Sequence, residues 1–263
     1  MGSATREARA VALTSLAGVA SVDLTTGEQV LAAGRVIGDS SQLRSVLADR
    51  GVEAAGKAGI VAQLFPGFTE AARTLLSSVV ASHWSSDENL LAGIEEVGIR
   101  VLAASAPDSL SIGDELFTFG EAVTSNEELE LAVSSKLGSA DGKASLVQQL
   151  LGGKASPQTI AIVEHLVRQP RGRRIGALIS NAADIVADEA GKVVATVTTA
   201  NALTADQMAR LGTALSASTG RDVRINHVID PSVIGGVRVL VGDDVIDGTV
   251  ASRLNNLKLQ LAP

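Results

Sequence analysis

The chain has 263 residues, no cysteine, no tyrosine and one tryptophan (Trp84), and its 22 basic and 29 acidic residues leave a net charge of −7. Without cysteine there is no disulfide framework, thiol nucleophile or thiolate metal site. A chain this acidic is a poor general ligand for phosphate backbones or anionic lipid. Residues are 46% hydrophobic but only 2% aromatic, so Ala, Val and Leu must do the packing, which suits close helix contacts better than an aromatic cleft. No stretch approaches the ~18 consecutive apolar residues of a membrane span. Charge interrupts the apolar positions of MGSATREARAVALTSLAG, so no signal peptide is expected.

In chain order, Ala8, Val11, Ala12 and Leu16 make a helical stripe, Val30, Leu31, Gly34 and Ile37 a second, and Leu75, Leu76, Val79 and Val80 a third. Turn and capping chemistry separates them at Thr25-Thr26-Gly27-Glu28, Asp39-Ser40-Ser41, Pro66-Gly67 and Ser85-Ser86-Asp87. The pattern then repeats. Residues 27–65 align without a gap on 113–151 with 10 identities in 39, including Gly27 on Gly113, Gly34 on Gly120 and Gly56-Lys57-Ala58 on Gly142-Lys143-Ala144. Further along, Leu75 and Leu76 fall on Ile162 and Val163. Two copies of one helical unit are expected, over roughly 4–88 and 90–174. The stretch 87–105 would be one helix that ends the first copy and begins the second.

After about residue 190 the period changes. Val193–Thr199 is β-branched and strand-like. Thr204-Ala205-Asp206-Gln207 caps a helix with Met208, Leu211 and Leu215 on one face, and Gly220 ends it. A second strand alternates through Val223, Ile225 and His227. A third runs over 234–244 into a tight turn, and Val245-Ile246-Asp247 returns. Val250, Leu254, Leu257 and Leu261 form a closing helical stripe. The expected fold is mostly α with a small α/β C-terminal domain: two tandem helical bundles (1–88 and 89–190) followed by a β-α-β-β-α domain (191–263).

Candidate chemistry is thin. Asp243-Asp244-Val245-Ile246-Asp247 matches D-D-x-x-D, a pattern that holds magnesium against a diphosphate when its carboxylates share a helix face. Here the aspartates follow a strand between glycines, which is hairpin chemistry. Gly51 to Ala58 fits G-x-x-x-x-G-K but has Ala58 where the magnesium-binding hydroxyl belongs, and a polar helix-like stretch precedes it instead of a buried strand. His83, His165 and His227 lack metal-ligand spacing, and no G-x-S-x-G elbow occurs. Arg168, Arg171, Arg173 and Arg174 form the one basic cluster, read as a solvated connection between helices; without nearby aromatics it is poorly equipped to stack bases.

Residues 193–261 resemble the C-terminal domain of the delta subunit of F-type ATP synthases, the family of the oligomycin-sensitivity-conferring protein (OSCP). The likeness is carried by Ala202–Gln207, Arg221–Asn226, and the order Asp230, Ser232, Gly235, Gly236 followed by Gly242, Asp243, Val245, Ile246, Asp247 and Val250. Copy two resembles the family's six-helix N-terminal domain through Glu115-Leu116, Thr124–Leu129 and Arg171-Gly172-Arg173. A common delta subunit has one such bundle, so the resemblance is to the enlarged, actinobacterial-type form with a duplicated N-terminal helical domain, here expected to be unfused to a membrane anchor. It implies a non-catalytic stator (peripheral stalk) subunit linking the alpha/beta head to subunit b in proton-driven ATP synthesis. It implies no cofactor, no metal at the aspartates, no nucleic acid, no membrane insertion, and a peripheral place on the cytoplasmic face of the cell membrane. In the family the N-terminal helix of alpha enters a groove between the first and fifth helices. Those helices fall at about 4–19 and 68–83 in copy one and 90–105 and 156–169 in copy two. The implied alpha contacts are Leu13, Leu16, Leu75, Leu76 and Val79, with Ile99, Leu102, Ile162, Val163 and Leu166 in copy two. The implied subunit b contacts are Val250, Leu254, Leu257 and Leu261. The alternatives from the residues alone are a helical adaptor of another assembly, or an RNA-binding module built on the arginine cluster.

Overall fold

The computed structural model describes residues 2–107, 109–135, 138–241, 244–250, 252 and 254. Twelve helices and four strands lie among them, and the chain divides into two compact units, Met1–Val186 and Ala187–Pro263. The mostly helical fold with a small α/β C-terminal domain is the one expected.

The first unit contains α1 (Ser3–Ala17), α2 (Leu24–Asp39), α3 (Ser41–Ala48), α4 (Ala54–Leu64), α5 (Glu70–Ala81) and α6 (Asp87–Ala104). These are followed by α7 (Ile112–Ser125), α8 (Glu127–Ser134), α9 (Ala140–Leu151), α10 (Pro157–Arg168) and α11 (Ile175–Glu189), inside whose last turn the division falls. Side-chain caps start most of these helices. Ser40 accepts the N–H of Leu43 and Asn126 that of Leu129; Thr69 accepts that of Ala72 and Ser156 that of Thr159. Each such cap is worth about 1 kcal/mol. The capped positions recur in the two halves, and so does a tertiary contact. Gln29 Oε1 accepts the Thr69 N–H at 2.8 Å, and the Glu115 carboxylate accepts the Ser156 N–H at 3.1 Å. These caps and this contact thus recur, at a spacing of 86 to 87 residues, in α2–α5 and in α7–α10.

That double duty is visible in the cores. Leu90, Leu91, Ile94, Val97 and Val101 of α6 pack with residues from α1–α5, while Ile99 and Leu102 pack with residues from α7, α10 and α11. Leu31 of α2 also belongs to the second core, although Val30, Ala33 and Ile37 belong to the first. The expected boundary near residue 88 thus lies at the head of a helix common to both cores.

The second unit is a four-stranded sheet in the order β2-β1-β3-β4, with β1 (Lys192–Thr199), β2 (Asp222–Ile229), β3 (Val237–Val241) and β4 (Asp244–Asp247). β1 and β2 are parallel and are joined through α12 (Ala205–Thr219), the crossover that a parallel pair requires. Thr204 and Gln207 cap α12 reciprocally, and Gly220 ends it in the left-handed conformation at φ 68°. The third strand starts at Val237, later than the expected 234, because Gly235 and Gly236 take φ of 60° and 83°. A Cβ at Gly236 would also lie 2.5 Å from the Gly248 carbonyl oxygen.

Candidate partner-binding surfaces

Nine of the ten residues expected to meet alpha are buried: Leu16, Leu75, Leu76 and Val79 in the first core and Ile99, Leu102, Ile162, Val163 and Leu166 in the second. Leu13 is half-buried. These side chains build the floors of the α1–α5 and α6–α10 seams. The surface of the α1–α5 seam is an open groove lined by Glu7, Ala10, Val11, Thr14 and Ser15 of α1 and Ser78 of α5. Val11, grouped by periodicity with the core stripe, is instead 48% exposed beside this groove. Apart from Glu7 and Val11 its lining side chains are small, and the depression is shallow.

The α6–α10 seam has a different surface, because α2 runs along it. A Cβ at Gly34 would meet Ile94 of α6 at 3.1 Å and His165 of α10 at 3.9 Å. A Cβ at Gly98 would lie 2.4 Å from Leu31 Cδ2, and one at Gly27 would lie 2.5 Å from Leu102 Cδ2. The absence of side chains at these three positions lets the helices approach closely enough for Leu31 to enter the second core. Polar contacts fix the far end: Gln169 Nε2 donates to the Arg35 carbonyl at 3.0 Å, and Arg35 Nη1 lies 3.3 Å from His165 Nδ1.

Beneath this seam is a buried charge cluster that the sequence did not announce. Glu95 of α6 is 4% exposed, and its carboxylate accepts from Arg171 at 2.7 Å and from Arg173 at 2.9 Å, with His165 Nε2 at 3.4 Å. Burial works to raise the Glu95 pKa, but the hydrogen bond from His165 and the charges of Arg171 and Arg173 outweigh it and hold the group at about 2. Burial pushes His165 below its ordinary value despite Glu95, so the ring is neutral at pH 7. A neutral ring fits both neighbours: Nε2–H donates to Glu95 while Nδ1 accepts from Arg35. The arginine cluster is therefore not the solvated connection expected. Arg171 and Arg173 close a buried carboxylate and Arg168 pairs with Asp141 at 2.7 Å, so these three are engaged within the chain. Arg171 adopts φ 48° to reach its place, beside Gly172 at φ 74°.

In the second unit, the D-D-x-x-D segment lies in a hairpin. Val241 pairs with Asp244 and Arg238 with Asp247, while Gly242 and Asp243 lie outside the described residues. Asp247 accepts the Thr249 N–H at 2.9 Å, and Thr249 Oγ1 accepts the Ser252 N–H at 3.2 Å. Asp230 accepts the Ser232 N–H at 2.9 Å in the same manner. Gly235 accepts the Val250 N–H at 3.2 Å through its carbonyl. Of the signature residues, Asp230, Gly235 and Asp247 thus make turn contacts that flank the hairpin. Of the subunit b candidates, Val250 is 43% and Leu254 62% exposed, and Leu257 and Leu261 lie outside the described residues. Val245 and Ile246 on the edge strand β4 are also exposed.

Residues 101–261 match the family described as ATP synthase delta (OSCP) subunit. An ATP synthase subunit delta from Leifsonia xyli subsp. xyli is 51% identical over 263 residues, covering all of both chains, and one from Streptomyces griseus subsp. griseus is 38% identical over 270 residues, again over the full length of both. Among solved structures, a chain of the Toxoplasma gondii mitochondrial ATP synthase hexamer overlays on 64% of this chain and 96% of its own, at TM-score 0.43 and 22% identity. The fold is that of a mostly helical protein with a small α/β C-terminal domain. The chain belongs to the ATP synthase delta (OSCP) subunit family. Residues 1–100 lie ahead of the matched family region, yet the full-length relatives share them. No helix among the described residues is long and apolar enough to cross a membrane.

Proposed function

We propose that the chain is a non-catalytic clip of the peripheral stalk. Its helical unit receives the N-terminal helix of an alpha subunit, its C-terminal unit meets the C-terminal end of subunit b, and it sits peripherally on the cytoplasmic face of the membrane. A part that only resists the torque of the rotor needs stiffness and adhesion. One helix shared by two cores supports the first requirement, and the open α1–α5 groove supports the second. That groove is the observation that carries the reading. A helix placing four or five apolar anchors there would gain roughly 1.5–3 kcal/mol for each side chain fully buried, before the ordering costs of association. For subunit b, Val250, Leu254, Leu257 and Leu261 remain the proposed contacts, beside the exposed Val245 and Ile246. The duplication of the helical plan, with copies over 1–88 and 89–190 and the α/β domain over 191–263, is proposed on the repeated caps and the paired Gln29 and Glu115 contacts.

Mixing the full chain with synthetic peptides of the alpha N-terminus and the b C-terminus tests this directly. Both peptides should bind at once, and Leu254→Asp should weaken only the b peptide. Failure of either peptide to bind would remove the stator reading.

A further inference from the structure

We infer that the C-terminal unit engages its partner by strand addition: an extended segment pairs with the outer edge of β4, with an apolar side chain beside Ile246 and a basic one beside Asp244. This deepens the reading above, in which the partner is the C-terminal end of subunit b, and rests on it.

β4 ends the order β2-β1-β3-β4 and pairs only with β3, and all of it is exposed. The phase of that pairing decides which backbone groups are left over. Gly248 donates its N–H to the Val237 carbonyl at 2.9 Å, so these two residues form a hydrogen-bonded pair. The register sets Val239 on Ile246 and Val241 on Asp244, and hydrogen-bonded pairs recur at every second residue of an antiparallel ladder. Asp244 and Ile246 therefore direct their backbone groups to β3, and Val245 and Asp247 direct theirs outward. The next outward N–H, that of Thr249, is already taken by Asp247 Oδ1 at 2.9 Å. Val245 and Asp247 are left with both N–H and C=O groups for a further strand.

The side chains point to the same completion. Val197 of β1, Val239 of β3 and Ile246 of β4 are successive cross-strand neighbours, and their exposure runs 0%, 2% and 52%. Val197 and Val239 share a core with Leu215 of α12, but α12 packs on β2, at the far side of the sheet, so the row ends uncovered at Ile246. On the opposite face Leu240 and Val245, paired with each other, are both exposed. A fifth strand would continue both rows. Charge selects the occupant. Asp247 has Arg238 across the strand, whereas Asp244 stands opposite Val241 and makes no ion pair among the described residues. A second copy of this chain is a poor match, because two such edges would gather four carboxylates on one short ladder. A segment with a basic residue beside Asp244 is complementary.

The outward phase makes proline a selective probe. At 245 it removes an N–H that β3 does not use, an orientation in which an edge strand tolerates proline. Val245→Ala is the control, since it trims the side chain and keeps the N–H. In titrations of the full chain with the synthetic b C-terminal peptide, Val245→Pro should weaken binding about tenfold, as loss of a hydrogen bond does, and Val245→Ala should weaken it less. Asp244→Lys should also weaken binding, most at low salt. Amide hydrogen exchange of the unsubstituted chain does not depend on how the variants fold: the Val245 and Asp247 N–H groups should exchange more slowly once the peptide is bound. Equal binding by Val245→Pro and Val245→Ala, undiminished binding by Asp244→Lys, or unchanged exchange at 245 and 247 would each overturn strand addition and leave the stator reading in place. No binding of the peptide to the unsubstituted chain would overturn both.

Discussion

Glu95 concentrates the physics of the helical unit in one side chain. A carboxylate buried as deeply as Glu95 would be costly alone, and it is held ionised by the hydrogen bond from His165 and the charges of Arg171 and Arg173. Removing its charge leaves Arg171, which is itself largely buried, without its partner. Glu95→Gln is expected to destabilise the unit by about 2–4 kcal/mol, read as a lower Tm and urea midpoint. The pH dependence follows from the signs. Glu95 is depressed from 4.5 to about 2 on folding, so its contribution is complete above 4.5 and is lost as pH falls towards 2. His165 is depressed below 6.5, so the unfolded chain takes up a proton there that the folded chain resists, and stability also falls as pH drops below 6.5. Tm measured against pH should decline continuously on the acid side, and the part between 4.5 and 2 should flatten in Glu95→Gln. A second residue-scale test uses the one tryptophan. A Cβ at Gly93 would lie 2.1 Å from Trp84 Cη2, and the indole is anchored by its N–H to the Val79 carbonyl at 2.8 Å. Gly93→Ala should shift Trp84 fluorescence to longer wavelength and cost about 1–3 kcal/mol, despite the better helix propensity of Ala.

The elements most legible in the sequence were those with local signals. Caps at Ser40 and Ser86 and the left-handed Gly220 mark their helix ends where the sequence placed them. The shared helix over 87–105 corresponds to α6 within two residues. Less was legible wherever the answer depended on which face meets which neighbour. Periodicity put Val11 in the core stripe because the pattern of α1 cannot say how many of its faces are covered. The same blindness applies to Arg171 and Arg173, whose partner lies 76 and 78 residues earlier. Glu95, set between the apolar positions Leu91, Ile94 and Ile99 of α6, was the one available hint: a charge at a position that must be buried calls for distant cations. The α2–α6 contact offers its own test. Gly98→Ala should destabilise by about 1–3 kcal/mol because Leu31 is fully buried and cannot retreat. Adding Leu31→Ala should recover part of that loss, a coupling that double-mutant analysis of urea melts would reveal.

At the scale of the molecule, α1–α5 and α7–α11 are not separable parts, because residues of α6 belong to the cores of both. α6 is buried at eleven positions along its length, from Leu90 to Leu102. Deleting residues 1–86 would uncover the side of α6 that packs on α1, α2 and α5. The truncated helical unit should melt at lower temperature and bind a hydrophobic dye, while the α/β unit, with its own core of Ala195, Val197, Leu215 and Val239, keeps its affinity for the b peptide. Stiffness is the functional counterpart of that continuity, since a stator part that yielded at a linker would let the head turn. The most direct test of the clip is reconstitution. Inverted membrane vesicles stripped of this chain should lose proton-driven ATP synthesis and regain it when the purified chain is added back, while ATP hydrolysis by the detached catalytic head stays unchanged throughout. Undiminished synthesis in the stripped vesicles, or ATP turnover by the purified chain alone, would contradict the account.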